Sequence, residues 1–211
     1  MYSVNTINTL RGMGGIPNSG ATSSAGILYN QGGTGAVNRT VQSKFQETVS
    51  ILDFGADPTG VVDCVDAFML GVQSNRTLLV PPGTYYLNTT VPPPFDYFNN
   101  TCLLMQNLTN FHVRAEGATF NVGDSVAFCG IFHFNNCTNV SWVGGIFNGN
   151  KFGSISSNEN TCMALTSVVG FYAANMWIKS GFGGIGAGLV GDWIVDAIFE
   201  NIRMDDIGIA T

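Results

Sequence analysis

Between residues 48 and 91 the spacing of apolar positions changes twice. Val49 and Ile51 alternate with polar neighbours and Phe54 follows after a change of step, which predicts a short strand. The stretch DPTG then sets Pro58 and Gly60 where a type I turn prefers them. Asp63 is placed to cap a helix, and from Cys64 to Gln73 the apolar residues Val65, Phe68, Met69 and Val72 share one helical face. TLLVPPGTYYLNTTV reads as strand, Pro-Pro-Gly turn, strand. One short amphipathic helix therefore heads a long run of strands, where it is expected to cover an otherwise open apolar end.

The strands beyond it repeat a pattern: apolar, any residue, Asn, apolar, any residue, apolar. It occurs in LTNFHV, CTNVSW, AANMWI and FENIRM, with its Asn at Asn110, Asn139, Asn175 and Asn201. A glycine follows each within five residues: Gly117, Gly144, Gly181 and Gly208. A parallel β-helix asks for this pattern. Each coil supplies short strands whose alternate side chains point into a stacked interior, and an Asn at the bend accepts the left-handed conformation that other residues resist. Asn residues in register on successive coils can also hydrogen-bond in a ladder. The fold class expected is mainly β, a right-handed parallel β-helix with a short N-terminal capping helix. Aligning the four motifs puts His112, Ser141, Trp177 and Arg203 in one outward column and Arg114, Val143, Lys179 and Asp205 in the next, with Glu116 and Asp206 close by.

Composition narrows the function. Only 10% of the 211 residues are charged, the formal net charge is −6, and eight Lys and Arg are too few and too scattered for a phosphate backbone, so nucleic acid is set aside. The apolar, uncharged run at residues 160–178 is broken by Thr161, Thr166, Ser167, Gly170 and Asn175, poor material for a membrane helix, and no insertion is expected. The start MYSVNTINTLRGMGG has no basic segment followed by an apolar one, so no secretory signal is visible. Cysteines 64, 102, 129, 137 and 162 form no C-x-x-C pair and no zinc spacing; buried free thiols, reduced assembly in a cytoplasm and no metal are expected. The N-x-S/T sites at Asn38, Asn75, Asn88, Asn99, Asn107, Asn136 and Asn139 read as turn chemistry. Residues 1–44, rich in Gly with short apolar patches at residues 4–10 and 26–29, cannot bury a core and are expected to order by docking.

YNQGGTGAVNRTVQSKFQETVSILDFGADPTGVVDCVDAF and LLVPPGTYYL resemble the tailspike and tail-fibre proteins of tailed bacteriophages that carry a pectate-lyase-like right-handed β-helix. The neck RTVQSKFQETVS carries the specific part of the match, and DPTGVVD departs from the usual G-D-G turn. The resemblance implies an extended virion-anchoring segment and neck over residues 1–44, then the capping helix and first coils over 45–211. It implies a homotrimer of the phage tail, docked on tail or adaptor proteins through residues 1–44 and assembled in the host cytoplasm. Its role would be host attachment as a receptor-binding protein for bacterial surface polysaccharide, which such proteins often cleave; any depolymerase activity, by lyase or glycoside-hydrolase chemistry, is expected in the full-length protein and not in this segment. No C-terminal cap follows Met204, so a longer parent is expected.

The columns supply candidate carbohydrate contacts: His112, Arg114, Glu116, Trp177, Lys179, Arg203, Asp205 and Asp206. An indole face covers the apolar side of a pyranose while charged groups fix its hydroxyls or carboxylates. Lys179, Arg203 or Arg114 would suit a β-elimination and Asp205 or Glu116 a hydrolysis, but no polygalacturonase-like signature is present and no catalytic residue is assigned. GAGLVG matches G-x-G-x-x-G, and DWIVDAIFENI after it can be drawn as a helix. Asp205 comes too soon for the acid of a dinucleotide fold and no further βα units follow, so no cofactor is expected. A structural tail stalk and a free polysaccharide lyase or glycoside hydrolase remain as alternatives.

Overall fold

The computed structural model describes residues 23–91, 101–124, 127–150, 155–180, 185–187 and 193–207. The apolar patch at residues 4–10, the motif glycines Gly181 and Gly208, and residues 188–191 of the glycine-rich stretch lie outside them. The chain divides into two units, residues 1–47 and 48–211. In the first, β1 (Leu28–Tyr29) pairs antiparallel with β2 (Arg39–Thr40). The Thr40 hydroxyl accepts from the Ser43 N–H at 3.0 Å and so caps α1 (Val41–Phe45), and Glu47 holds both Arg39 and Lys44. None of its described residues is buried.

The second unit is the expected parallel β-helix, of about four turns, with three faces. The first face stacks β3 (Thr48–Ser50), β5 (Arg76–Leu79), β8 (Thr109–Arg114), the second half of β10 (Ala127–Val143), the middle of β12 (Ile155–Lys179) and the start of β14 (Ile194–Asp205). The second stacks β4 (Thr59–Asp63), β6 (Gly83–Leu87), β9 (Ala118–Val122), β11 (Ile146–Asn148) and the ends of β12 and β14. The third stacks β7 (Thr101–Gln106), the first half of β10, the first part of β12 and β13 (Ile185–Ala187). All of these pairings are parallel, so residues 194–205 are strand and the helix that a dinucleotide fold would need there is not formed.

Inward side chains fill the coil with aromatic rings. Trp142 stacks on Phe132 at 4.4 Å between centroids, and Phe68 of α2 (Val65–Gly71) stacks on the same indole at 5.7 Å and 10°. The helix thus closes the end of the stack, as expected, by inserting Phe68 into the interior. Cys64, Cys102, Cys137 and Cys162 are buried free thiols, and burial pushes the Cys102 thiol up to about 12, which makes it unreactive.

Three local readings change. The strand begun at Val49 stops at Ser50, because Ser50 and Asp53 form a capping box that turns residues 51–54 into a 3-10 turn. The helix cap is Cys64 rather than Asp63, whose carboxylate instead accepts from the backbone N–H groups of Val65 and Asn88, both at 3.1 Å, tying the helix start to the strand above. The DPTG turn is gathered by Asp57, which accepts from the N–H groups of Thr59, Val61 and Val62 and from the Thr59 hydroxyl, after which Gly60 continues into β4.

The fourth change concerns the motif. Asn110 and Asn139 share one bend with Asn75, and their amides form a ladder: Asn110 donates to Asn75 at 2.9 Å and Asn139 to Asn110 at 2.7 Å. Pairing carries Thr138 to Val169 and Val140 to Phe171, so the next residue of that bend is Gly170, at φ +70°. Asn175 and Asn201 belong to another bend, level with Gly144, and form their own 2.8 Å bond. A third ladder joins Asn136 to Asn107 at 2.7 Å. Each of these bends turns on a left-handed residue, which Asn and Gly both supply, so one pattern recurs at different corners. Asn75, Asn107, Asn136 and Asn139 all have φ between 51° and 59°, which is the turn role read for these sites.

The Asp57 hub makes stability pH-dependent. Bonds from the Thr59 hydroxyl first, then from backbone N–H groups, hold its pKa at about 2, below the ordinary 3.8. A depressed carboxylate contributes stability that is complete above its unfolded pKa and is lost as pH falls through the folded one. The melting temperature of the native chain is therefore expected to exceed that of Asp57→Asn at pH 7, with the gap closing between about pH 4 and pH 2. A gap that stays constant across that range in thermal melts would refute the assignment.

Candidate functional site

The second face ends in a cluster built by strand alternation. On β12, Trp177 and Lys179 both point outward; pairing sets Arg203 beside Trp177 and Asp205 beside Lys179 on the next coil. The Arg203 guanidinium lies over the indole at 4.3 Å from its centroid and the Lys179 ammonium at 5.0 Å. Asp205 organises the group: it accepts from the Trp177 indole N–H at 3.0 Å and pairs with Arg203 at 2.6 Å. Two cations therefore converge on one ring, and one of them shares its charge with a carboxylate. The indole is not a bare platform, because Arg203 and Lys179 occupy the ring that a sugar would cover; its work is to fix the two cations.

The other candidates sit elsewhere. His112 and Ser141 are adjacent on the first face, with His112 Nδ1 and Ser141 Oγ 2.9 Å apart, and partial burial lowers the imidazole pKa, which favours the neutral ring. Their column does not continue to Trp177 and Arg203, since Ser141 pairs with Tyr172 and Tyr172 with Ile198. Arg114 and Glu116 form an exposed ion pair at 2.9 Å, and this bond from Arg114 holds the Glu116 carboxyl below its usual range. Val143 is indeed the neighbour of Arg114, but the next coil brings Ala174 there, not Lys179. Asp206 accepts from the Ser180 hydroxyl at 3.4 Å, one residue past the cluster.

So the structure brings Trp177, Lys179, Arg203 and Asp205 together and leaves His112, Arg114 and Glu116 on a different face. It also adds a pair the motif alignment concealed: the Tyr172 hydroxyl donates to Glu200 at 2.9 Å beside Ser141, and that carboxylate raises the phenol pKa. Recognising Gly170 as a stand-in for Asn would have disclosed it. Among the described residues no group of three or more His, Cys, Asp and Glu side chains could hold a metal ion. No helix among them is long and apolar enough to cross a membrane.

No family model and no curated protein matches the chain. Solved structures do. The A-module of mannuronan C-5 epimerase AlgE4 from Azotobacter vinelandii superposes with a TM-score of 0.57 at 15% identity, over 77% of this chain and 54% of that one. A mutant tailspike protein of E. coli bacteriophage HK620, in complex with a pentasaccharide, gives 0.53 at 16%, over 93% of this chain and 36% of that one. PfbA, a surface adhesin of Streptococcus pneumoniae, gives 0.51 at 16%, over 74% and 38%. The chain spans about half the length of the epimerase modules it matches, 54% and 44% of the two. At these identities the likeness is one of fold.

Proposed function

We propose that the chain is a subunit of a phage tailspike that binds bacterial surface polysaccharide through the outer surface of its β-helix, with residues 1–44 serving attachment to the virion tail and the subunit working as a homotrimer. The observation that carries the binding reading is the Trp177, Lys179, Arg203 and Asp205 cluster. It is an aromatic ring, two cations and a carboxylate held in fixed geometry on an exposed β-helix surface, the combination that orients a polyhydroxylated ligand. The fold likeness supports it: one neighbour of this architecture is a tailspike seen with a bound pentasaccharide, and another is named for action on mannuronan. The same surface does not require catalysis, and the reading assigns none.

The test is binding of the purified chain to a panel of bacterial surface polysaccharides by biolayer interferometry. At least one glycan is expected to bind, and Trp177→Ala is expected to weaken it at least tenfold with an unchanged far-UV spectrum, because the variant releases both cations and leaves Asp205 without the indole donor. Equal binding by the variant would remove the cluster from the site. Failure of every glycan would remove the reading.

A further inference from the structure

The cluster stands at one end of two longer columns. On the second face, pairing sets Asp63, Tyr86, Asn121, Asn148, Lys179 and Asp205 in one outward register. Beside it runs a second register of Thr84, Thr119, Ile146, Trp177 and Arg203. Six strands at about 4.8 Å spacing make a strip about 24 Å long, parallel to the stacking axis. From Tyr86 to Lys179 its side chains are half-buried, open to a ligand but steadied by their neighbours.

Charge along the strip is uneven. Asp63 is committed to the backbone N–H groups of Val65 and Asn88, and Tyr86 donates its hydroxyl to Asn88 at 3.1 Å, so that end is hydrogen-bonded within the chain and offers no cation. Asn121 and Asn148 in the middle carry neutral amides that both donate and accept. At the far end Asp205 is taken by Arg203 and the indole N–H, while the Lys179 ammonium rests on the indole without a carboxylate partner among the described residues. In a chain of net charge −6 this leaves a cation over an aromatic ring at the end of a hydrogen-bonding track whose middle positions, Tyr86, Asn121 and Asn148, are neutral.

Resting on the polysaccharide reading above, we infer that this strip binds an extended, carboxylate-bearing glycan along the stacking axis. Lys179 holds the carboxylate, and Tyr86, Asn121 and Asn148 are further contact residues. The amides meet sugar hydroxyls coil by coil, since strand spacing repeats along the track. Lys179 supplies the charge-assisted bond that an uncharged sugar lacks.

The experiment takes each glycan that the purified chain binds, together with fragments of graded length and a form whose carboxyl groups are reduced to alcohols. Affinity is expected to rise with fragment length until the track is filled. Carboxyl reduction is expected to weaken binding about tenfold. Lys179→Gln is expected to weaken the native glycan by the same factor yet leave the reduced form unaffected, since the two changes delete opposite ends of one interaction. Asn121→Ala combined with Asn148→Ala is expected to cost several-fold on long fragments and nothing on the shortest. Tight binding of neutral glycans that ignores Lys179→Gln would overturn the inference while leaving polysaccharide binding intact. Loss on short and long fragments alike in the double variant would overturn the extended track. Absence of any bound glycan would sink both readings together.

Discussion

Trp142→Ala is expected to lower the unfolding free energy by about 3–5 kcal/mol, the range for deleting a buried aromatic side chain. The indole is fully buried and touches rings from four elements: Phe68 at 5.7 Å, Phe120 at 5.8 Å, Phe132 at 4.4 Å and Phe147 at 5.5 Å. Two of these contacts are stacked, and one of them is the point at which the capping helix meets the coils. Truncation opens a cavity that parallel strands, locked to neighbours above and below, cannot close by collapsing. It also strands the Gly144 carbonyl, which accepts from the indole N–H at 3.0 Å. Trp142→Phe separates these effects: it keeps much of the ring volume and loses the donor, for a cost of about 1–2 kcal/mol. Urea denaturation followed by far-UV circular dichroism measures both. Against a total stability of about 5–15 kcal/mol, the alanine variant would move the midpoint far enough to read without ambiguity. Midpoints for alanine and phenylalanine that coincide would mean that the core does not depend on ring packing.

The capping helix and the coils were legible because their signals are local. Val65 and Phe68 lie on the face that the structure buries, and the alternation in LTNFHV and CTNVSW is that of β8 and the second half of β10. Register was not legible past Asn139, because it depends on which corner a motif occupies. His112 beside Ser141 and Trp177 beside Arg203 were both correct as neighbours; joining them into one column was the error, since the coil step from Asn139 leads to Gly170 and not to Asn175. Ladder chemistry constrains the backbone conformation of a residue, and both Gly and Asn satisfy it. The Trp177 cluster survived because its members lie two apart on adjacent strands, a relation that any register shift of the earlier coils leaves untouched. What the indole does there was not legible at all: a sequence shows a Trp near two cations, and only the packing shows the cations lying on the ring.

Glycine at the bends gives the sharper test of this architecture, because three of them share a left-handed backbone and differ in what stands beneath. Gly117 has φ +84°, Gly144 φ +86° and Gly170 φ +70°, so an alanine at any of them carries a comparable left-handed penalty of about 1–2 kcal/mol. A Cβ on Gly170 would meet Asn139 backbone atoms at 3.6 Å, an ordinary contact. On Gly117 it would press the Pro82 ring at 3.1 Å, and on Gly144 it would stand 2.7 Å from the Glu116 nitrogen and 2.8 Å from the Ala115 carbonyl carbon. That last contact is backbone on backbone between coils. It cannot relax by a rotamer change, and the coils cannot part there without stretching the bond from Ala115 to Val143, at 2.7 Å, and crowding the bond from Gly144 to Ala174, at 2.8 Å, on the other side. Stability losses are therefore expected to rise in the order Gly170→Ala, Gly117→Ala, Gly144→Ala, the last exceeding about 3 kcal/mol because overpacking is added to the backbone penalty. Should Gly144→Ala fail to yield soluble protein, the comparison of the other two still decides the point. Equal midpoints for Gly170→Ala and Gly117→Ala would show that dihedral preference alone sets the cost, and that the coils are not packed as closely as their hydrogen bonds require.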